Sequence, residues 1–212
     1  GGQALTLAGM FGFAHLLHLG AIFTLGGWLT GCTLLFNLLR RERGRTWHAR
    51  SAFAGLALGA LGWLLYVAWL HAPEPWMMHA ALKIGGFGLL LPVYFTVAHR
   101  MFPFFAGNVV PGYAGWRPLW LLGAFWGLAL THLALELLQW SAWLWLADLP
   151  LLALTGYWLW RNWPRGRAPA LLRVLFLGFA WLPIALAMYA GQSLWALADG
   201  TLPLGRAPRL LR

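Results

Sequence analysis

Val97-Ala98-His99-Arg100-Met101-Phe102-Pro103-Phe104-Phe105-Ala106-Gly107-Asn108-Val109-Val110-Pro111-Gly112-Tyr113 is the stretch around which the chain is organised. It stands where a long apolar segment must leave a hydrocarbon phase, because Arg100 is the first certain charge after Lys83 and a Pro-Gly pair follows. An imidazole, a fixed cation and a soft sulfur fall within three residues, at His99, Arg100 and Met101. Apolar composition alone would not produce that cluster.

Outward from this stretch the chain is 61% hydrophobic and only 9% charged, so it has too few polar residues to cover a water-facing surface. Apolar runs of about 20 residues, enough to cross a bilayer as helix, recur along its length. We read an all-α fold, a polytopic transmembrane helical bundle of about six helices forming a single domain over 1–212. The short alternating strands of a transmembrane barrel are not seen. The formal charge of +10 comes from arginines placed between the runs, where they orient helices and meet anionic lipid. The partner is therefore the lipid bilayer, and nucleic acid is not expected. Cys32, the only cysteine, cannot form an intrachain disulfide. An opening on Gly1-Gly2 without Met, and an end at Arg212 after a loop-like stretch, give the expectation of a fragment.

The first run spans about Leu7 to Leu39, longer than one helix needs. Arg40, Arg41, Arg43, Arg45 and Arg50 then make a basic loop around Glu42. A second run, about Ser51 to Trp69, ends at His71 and the cation-free Ala72-Pro73-Glu74-Pro75 turn. The third, about Met77 to Ala98, holds Lys83 and Pro92. A fourth, about Leu119 to Leu138, returns through a tight hairpin at Gln139 to Ser141 into a fifth, about Trp143 to Trp160. Arg161, Arg165, Arg167 and Arg173 lead to a sixth, about Leu171 to Leu197, and a tail with Asp199, Arg206, Arg209 and Arg212. Loops are alternately basic and neutral, so the positive-inside rule puts 40–50, 100–118 and 161–173 in the cytoplasm. Gly27-x-x-x-Gly31 and Gly55-x-x-x-Gly59 fit close helix crossings.

With that orientation nearly all the embedded ionisable groups share the outer layer. His15, His18 and His71 lie at outer ends, His79, Lys83, His132 and Glu136 in outer halves, and Asp148 near the middle of the fifth run; His99 and Arg100 stand apart at the inner face. Charges in lipid cost a few kcal/mol each, so such a layer marks a site. His15 and His18, at i and i+3, share a helix face and suit either metal ligation or interhelical hydrogen bonding. Met77, Met78 and His79 offer donors that suit Cu(I), although methionine also fills gaps between helices. His132 and Glu136, at i and i+4, fit a metal ligand with an orienting carboxylate or a plain hydrogen-bonded pair.

Lys83 snorkels to the interface or serves as a functional ammonium, and Asp148 has Lys83 or a histidine as a prospective partner. His99 with Arg100 fits a propionate clamp or an inner-face anchor. His48 and His71 read as water-facing residues without a ligand role. No phosphate-binding loop, CxxC, HExxH or nucleophile elbow is present. The rival class is a transporter or channel subunit using the same layer for substrate or protons, which helices interrupted at Pro92 and Pro183 would favour; a purely structural subunit is a third reading.

Val97 to Tyr113 resembles the internal signature of the NnrS family, in which an arginine or His-Arg pair precedes a Met/Ile-Pro-Phe segment and then an Asn-x-x-Pro-Gly turn. Arg173 to Leu186 is similar to a second family segment, and Gly9-Met10-Phe11-Gly12-Phe13 to a third, with Leu7 where the family commonly has a histidine. The resemblance implies a haem- and copper-containing bacterial inner-membrane protein associated with nitric oxide metabolism, denitrification and protection from nitrosative stress. A typical member has about twice as many helices, the last of them beginning with a histidine beyond the end of this chain. Under the resemblance His15, His18, His79, His132, His99 and Arg100 are the cofactor-contacting candidates. His15, His18, His79, Met78 and His132 are then the metal-ligand candidates, supported by Glu136, Asp148 and Lys83.

Overall fold

The computed structural model describes residues 1–42, 44 and 46–198, and all regular structure among them is helical. Arg43, Arg45, Asp199, Arg206, Arg209 and Arg212, counted above among loop and tail charges, lie outside the described residues. In chain order the helices are α1 (Gly2–Met10), α2 (Ala14–Arg41), α3 (Trp47–His71), α4 (Pro75–Lys83), α5 (Leu91–Val109), α6 (Leu119–Leu137), α7 (Trp145–Asn162) and α8 (Ala170–Ala198). A π-helical segment, Ile84–Leu90, joins α4 to α5, and a short 3₁₀ turn, Ser141–Trp143, precedes α7. Among the described residues six spans are long and apolar enough to cross a membrane, as the composition leads one to expect.

The first apolar run is two helices, not one. Gly12 takes φ 107°, a conformation that a residue with a side chain adopts only under strain, and it reverses the chain between α1 and α2. Glycines let α1 lie against the start of α2: a Cβ at Gly2, Gly9 or Gly20 would run into Thr24, Leu17 or Thr6 respectively. Arg40 and Arg41 close α2 in its last turn, where cations favour the helix dipole.

The third run also departs from expectation. Helix does not stop at Arg100 but continues to Val109, making Pro75–Val109 one 35-residue apolar span. The connection expected over 100–118 is thus confined to 110–118. At about 1.5 Å per residue the span is roughly 50 Å long, well beyond the hydrocarbon thickness, so a charged Arg100 can sit outside the lipid while still helical. The turn itself is where the Pro-Gly pair put it: Tyr113 N–H bonds the Val110 carbonyl at 3.2 Å and Gly112 has φ 70°, the type II pattern. The π-helical segment explains how Pro92 is tolerated, since its wider turn eases the clash between the proline ring and the carbonyl four residues back. Through Pro183, α8 runs unbroken.

Two compact units divide the chain, Gly1–Val93 and the part from Tyr94 onward, and each is described by itself. In the first, α2 and α3 are antiparallel and joined by two indole hydrogen bonds: Trp28 Nε1 donates to the Leu56 carbonyl at 2.9 Å and Trp63 Nε1 to the Ala21 carbonyl at 3.0 Å. Their spacing, two turns on each helix, fixes the register. Gly55-x-x-x-Gly59 makes the close crossing it predicted. A Cβ at Gly55 would stand 2.6 Å from Val93 Cγ2, and one at Gly59 2.7 Å from Leu89 Cδ2. Gly27-x-x-x-Gly31 does not: among the described residues nothing lies within 4 Å of either position, and this face of α2 is open.

The second unit has an aromatic core. Phe95 and Phe125 stack with centroids 3.9 Å apart, Trp158 meets Phe179 at 4.7 Å, and Phe102 meets Phe176 at 5.3 Å. All of them are buried. Such ring pairs contribute beyond their buried area, which matters in lipid because hydrophobicity gives helices little reason to associate there.

Candidate functional site

The second unit carries a buried ionisable cluster whose geometry is set by the α6–α7 hairpin. Helix α6 ends in a Schellman motif: Gln139 N–H bonds the Glu136 carbonyl at 3.0 Å, Trp140 N–H bonds the Leu135 carbonyl at 2.8 Å, and Gln139 adopts φ 57°. The following 3₁₀ turn starts α7 at once. Asp148 therefore sits in the first turn of α7 rather than near the middle of a span, at the same level as His132. His132 Nδ1 lies 2.6 Å from Asp148 Oδ1, and His132 Nε2 lies 3.7 Å from Glu136 Oε1.

His132 and Asp148 have no exposed surface, and Glu136 keeps 8%. Helix α8 covers the site: the Tyr189 ring meets the His132 ring edge-on at 5.7 Å, and Ser193 Oγ accepts from the Trp145 amide at 3.2 Å and donates to the Ala142 carbonyl at 3.4 Å. A carboxylate accepting from Nδ1–H orients the ring and turns Nε2 toward Glu136. Asp148 Oδ2 has no hydrogen-bond partner among the described residues, so in lipid the carboxylate depends on His132 for compensation.

The other candidates are dispersed. His99 is fully buried, with ring centroids of Phe95 and Trp158 at 6.0 and 6.4 Å, whereas its neighbour Arg100 is exposed. Consecutive helical residues diverge by about 100°, so the two do not close on one ligand. Met78, His79 and Lys83 are partly buried in the first unit, and Lys83 Nζ lies 6.0 Å from the Phe87 ring centroid. His15 is exposed on α2 and His18 half-buried one turn on. His18 instead meets His71, ring centroids 4.9 Å apart. Among the described residues no three His, Cys, Asp or Glu side chains converge as a metal group.

Residue-by-residue reading missed His71, Tyr189 and Ser193. For His71 a signal existed, its level beside His15 and His18; for Tyr189 and Ser193 none did, because their part depends on how α8 lies over the hairpin.

The fold defines a polytopic α-helical membrane protein, and within its spans His132 and Asp148 form a buried histidine–carboxylate pair. The chain belongs to the NnrS family: the family model described as NnrS protein matches residues 2–204. No curated protein and no solved structure matches the chain.

Proposed function

We propose that this chain is a metal-holding membrane protein of the NnrS type, binding copper and haem and acting in the nitric oxide response of a bacterial inner membrane, its arginine-bearing loops cytoplasmic. Family membership supports the class, and the buried contact of His132 Nδ1 with Asp148 Oδ1 at 2.6 Å is the observation that carries the metal reading. Histidines that ligate metal characteristically donate their other ring N–H to a carboxylate.

The donor set at His132 fits a single ion. His132 Nε2 and Glu136 Oε1 lie 3.7 Å apart, a donor pair that an ion could share. His132 and Glu136 would hold it, and Asp148 would set the ring. Imidazole with carboxylate suits copper among the metals the family implies. Haem does not fit here, since it needs an open face on its ligating ring and His132 has none. Exposed His15 offers such a face. When bound, the metals supply reversible ligation of small molecules such as nitric oxide and one-electron chemistry. The chain's own contribution is to bury His132 and Asp148 away from water, hold the ring through Asp148, and keep a carboxylate near Nε2.

The test is an optical spectrum with metal analysis of protein purified from its membrane in mild detergent. Stoichiometric copper lost in His132→Ala, and a Soret band retained there but lost in His15→Ala, are the expected results. A colourless, metal-free protein overturns the reading.

A further inference from the structure

We propose that His18 and His71 form a second metal site, a two-imidazole site for a late first-row cation, at the end of the first unit where α2 begins and α3 ends. The two rings lie on different helices, 53 residues apart in sequence, with centroids at 4.9 Å and planes inclined by 74°. Two imidazoles that bind one ion at about 2 Å with a near-tetrahedral angle hold their centroids about 5 Å apart, the separation observed between His18 and His71.

His71 is already set for ligation. Its Nδ1 lies 2.8 Å from the Val67 carbonyl, which can only accept, so Nδ1 carries the proton and Nε2 the lone pair. Among the described residues no other hydrogen bond engages the nitrogens of either ring. The pair's placement is held by two indole-to-carbonyl bonds, Trp63 to Ala21 and Trp28 to Leu56, which fix the register of α2 on α3. Aqueous ions have access, because His71 is exposed and borders the Ala72–Glu74 turn. Neutral nitrogen donors select copper, zinc or nickel over magnesium or calcium, and the natural affinity order puts Cu(II) above Zn(II). Two protein donors leave further coordination positions open to water or a small ligand. This site does not rest on the metal reading of His132, which lies in the other unit.

The experiment uses the full chain, purified through a histidine-free tag and stripped with chelator. Zn(II) alone, then Cu(II) alone, is added, and carbethoxylation of each histidine by diethyl pyrocarbonate is read by peptide mass spectrometry. Protection of His18 and His71 together, at least fivefold, with His48 unprotected, is the expected result. Equal modification of His18 and His71 with and without metal overturns the site. In His71→Ala one equivalent of bound Cu(II) and the protection of His18 should both disappear; retention of both also overturns it. His132→Ala should keep His18 and His71 protected, so failure at one site is distinguishable from failure at the other. The wild-type footprint stands even where a variant fails to fold.

Discussion

Asn162 holds Trp116 by both of its backbone polar groups: Oδ1 accepts from the Trp116 amide at 2.8 Å while Nδ2 donates to the Trp116 carbonyl at 2.9 Å. Asn162 is fully buried at the end of α7, and its Nδ2 also donates to the Trp158 carbonyl at 3.0 Å. The side chain thus ties the 110–118 connection to α7. Asn162→Leu keeps the volume but leaves those backbone groups without their partner, and should lower stability by about 2 kcal/mol. Thermal unfolding in detergent reads this, and an unchanged midpoint would show that the connection is held by other contacts.

Tyr113 belongs to the same connection, its hydroxyl donating to the Asn162 carbonyl at 2.8 Å. Burial pushes its phenol up to about 12, above the ordinary value of 10.0. The folded protein therefore keeps this proton longer than the unfolded chain does. Stability from the neutral phenol is complete below about pH 10 and is lost as pH rises through about 12. Absorbance at 295 nm should show a late-ionising component that is lost in Tyr113→Phe, and the variant should lose less stability between pH 10 and 12.

Asp148→Asn preserves shape at His132 but removes the charge and allows the other tautomer. Partners of this kind typically change metal affinity about 10–100-fold. Copper retained by the purified variant during dialysis against a competing chelator should fall by that order while the helices remain folded by circular dichroism. Wild-type retention would mean that Asp148 does not orient a ligand.

Two glycine motifs of identical spacing should behave oppositely. Gly55→Ala brings a methyl within 2.6 Å of a stiff Val93 side chain and should destabilise by about 1–3 kcal/mol. Gly27→Ala meets nothing within 4 Å and should be neutral or slightly stabilising, since alanine is the better helix former. Unfolding of both variants in mixed detergent micelles makes the comparison direct.

That contrast also marks the limit of what the chain discloses. Hydropathy and length reveal the six spans because lipid imposes them segment by segment, and the Pro111-Gly112 turn is legible because few residues take φ near 70°. Helical continuity past Arg100 is hidden, since a charge reports depth and not backbone conformation. Periodicity alone pairs His132 with Glu136. It cannot pair His132 with Asp148, which depends on Gln139 taking a left-handed conformation normally left to glycine or asparagine. His18 and His71 meet only through the register of two helices, and Gly27-x-x-x-Gly31 differs from Gly55-x-x-x-Gly59 only in what happens to lie opposite.

The paired indole bonds between α2 and α3 bear on how the protein enters its membrane. An indole N–H leaves water at a cost unless an acceptor awaits it, and the acceptors for Trp28 and Trp63 are backbone carbonyls of the neighbouring helix. Each indole therefore finds its acceptor in lipid only when the other helix lies beside it, which favours α2 and α3 entering the bilayer as a hairpin.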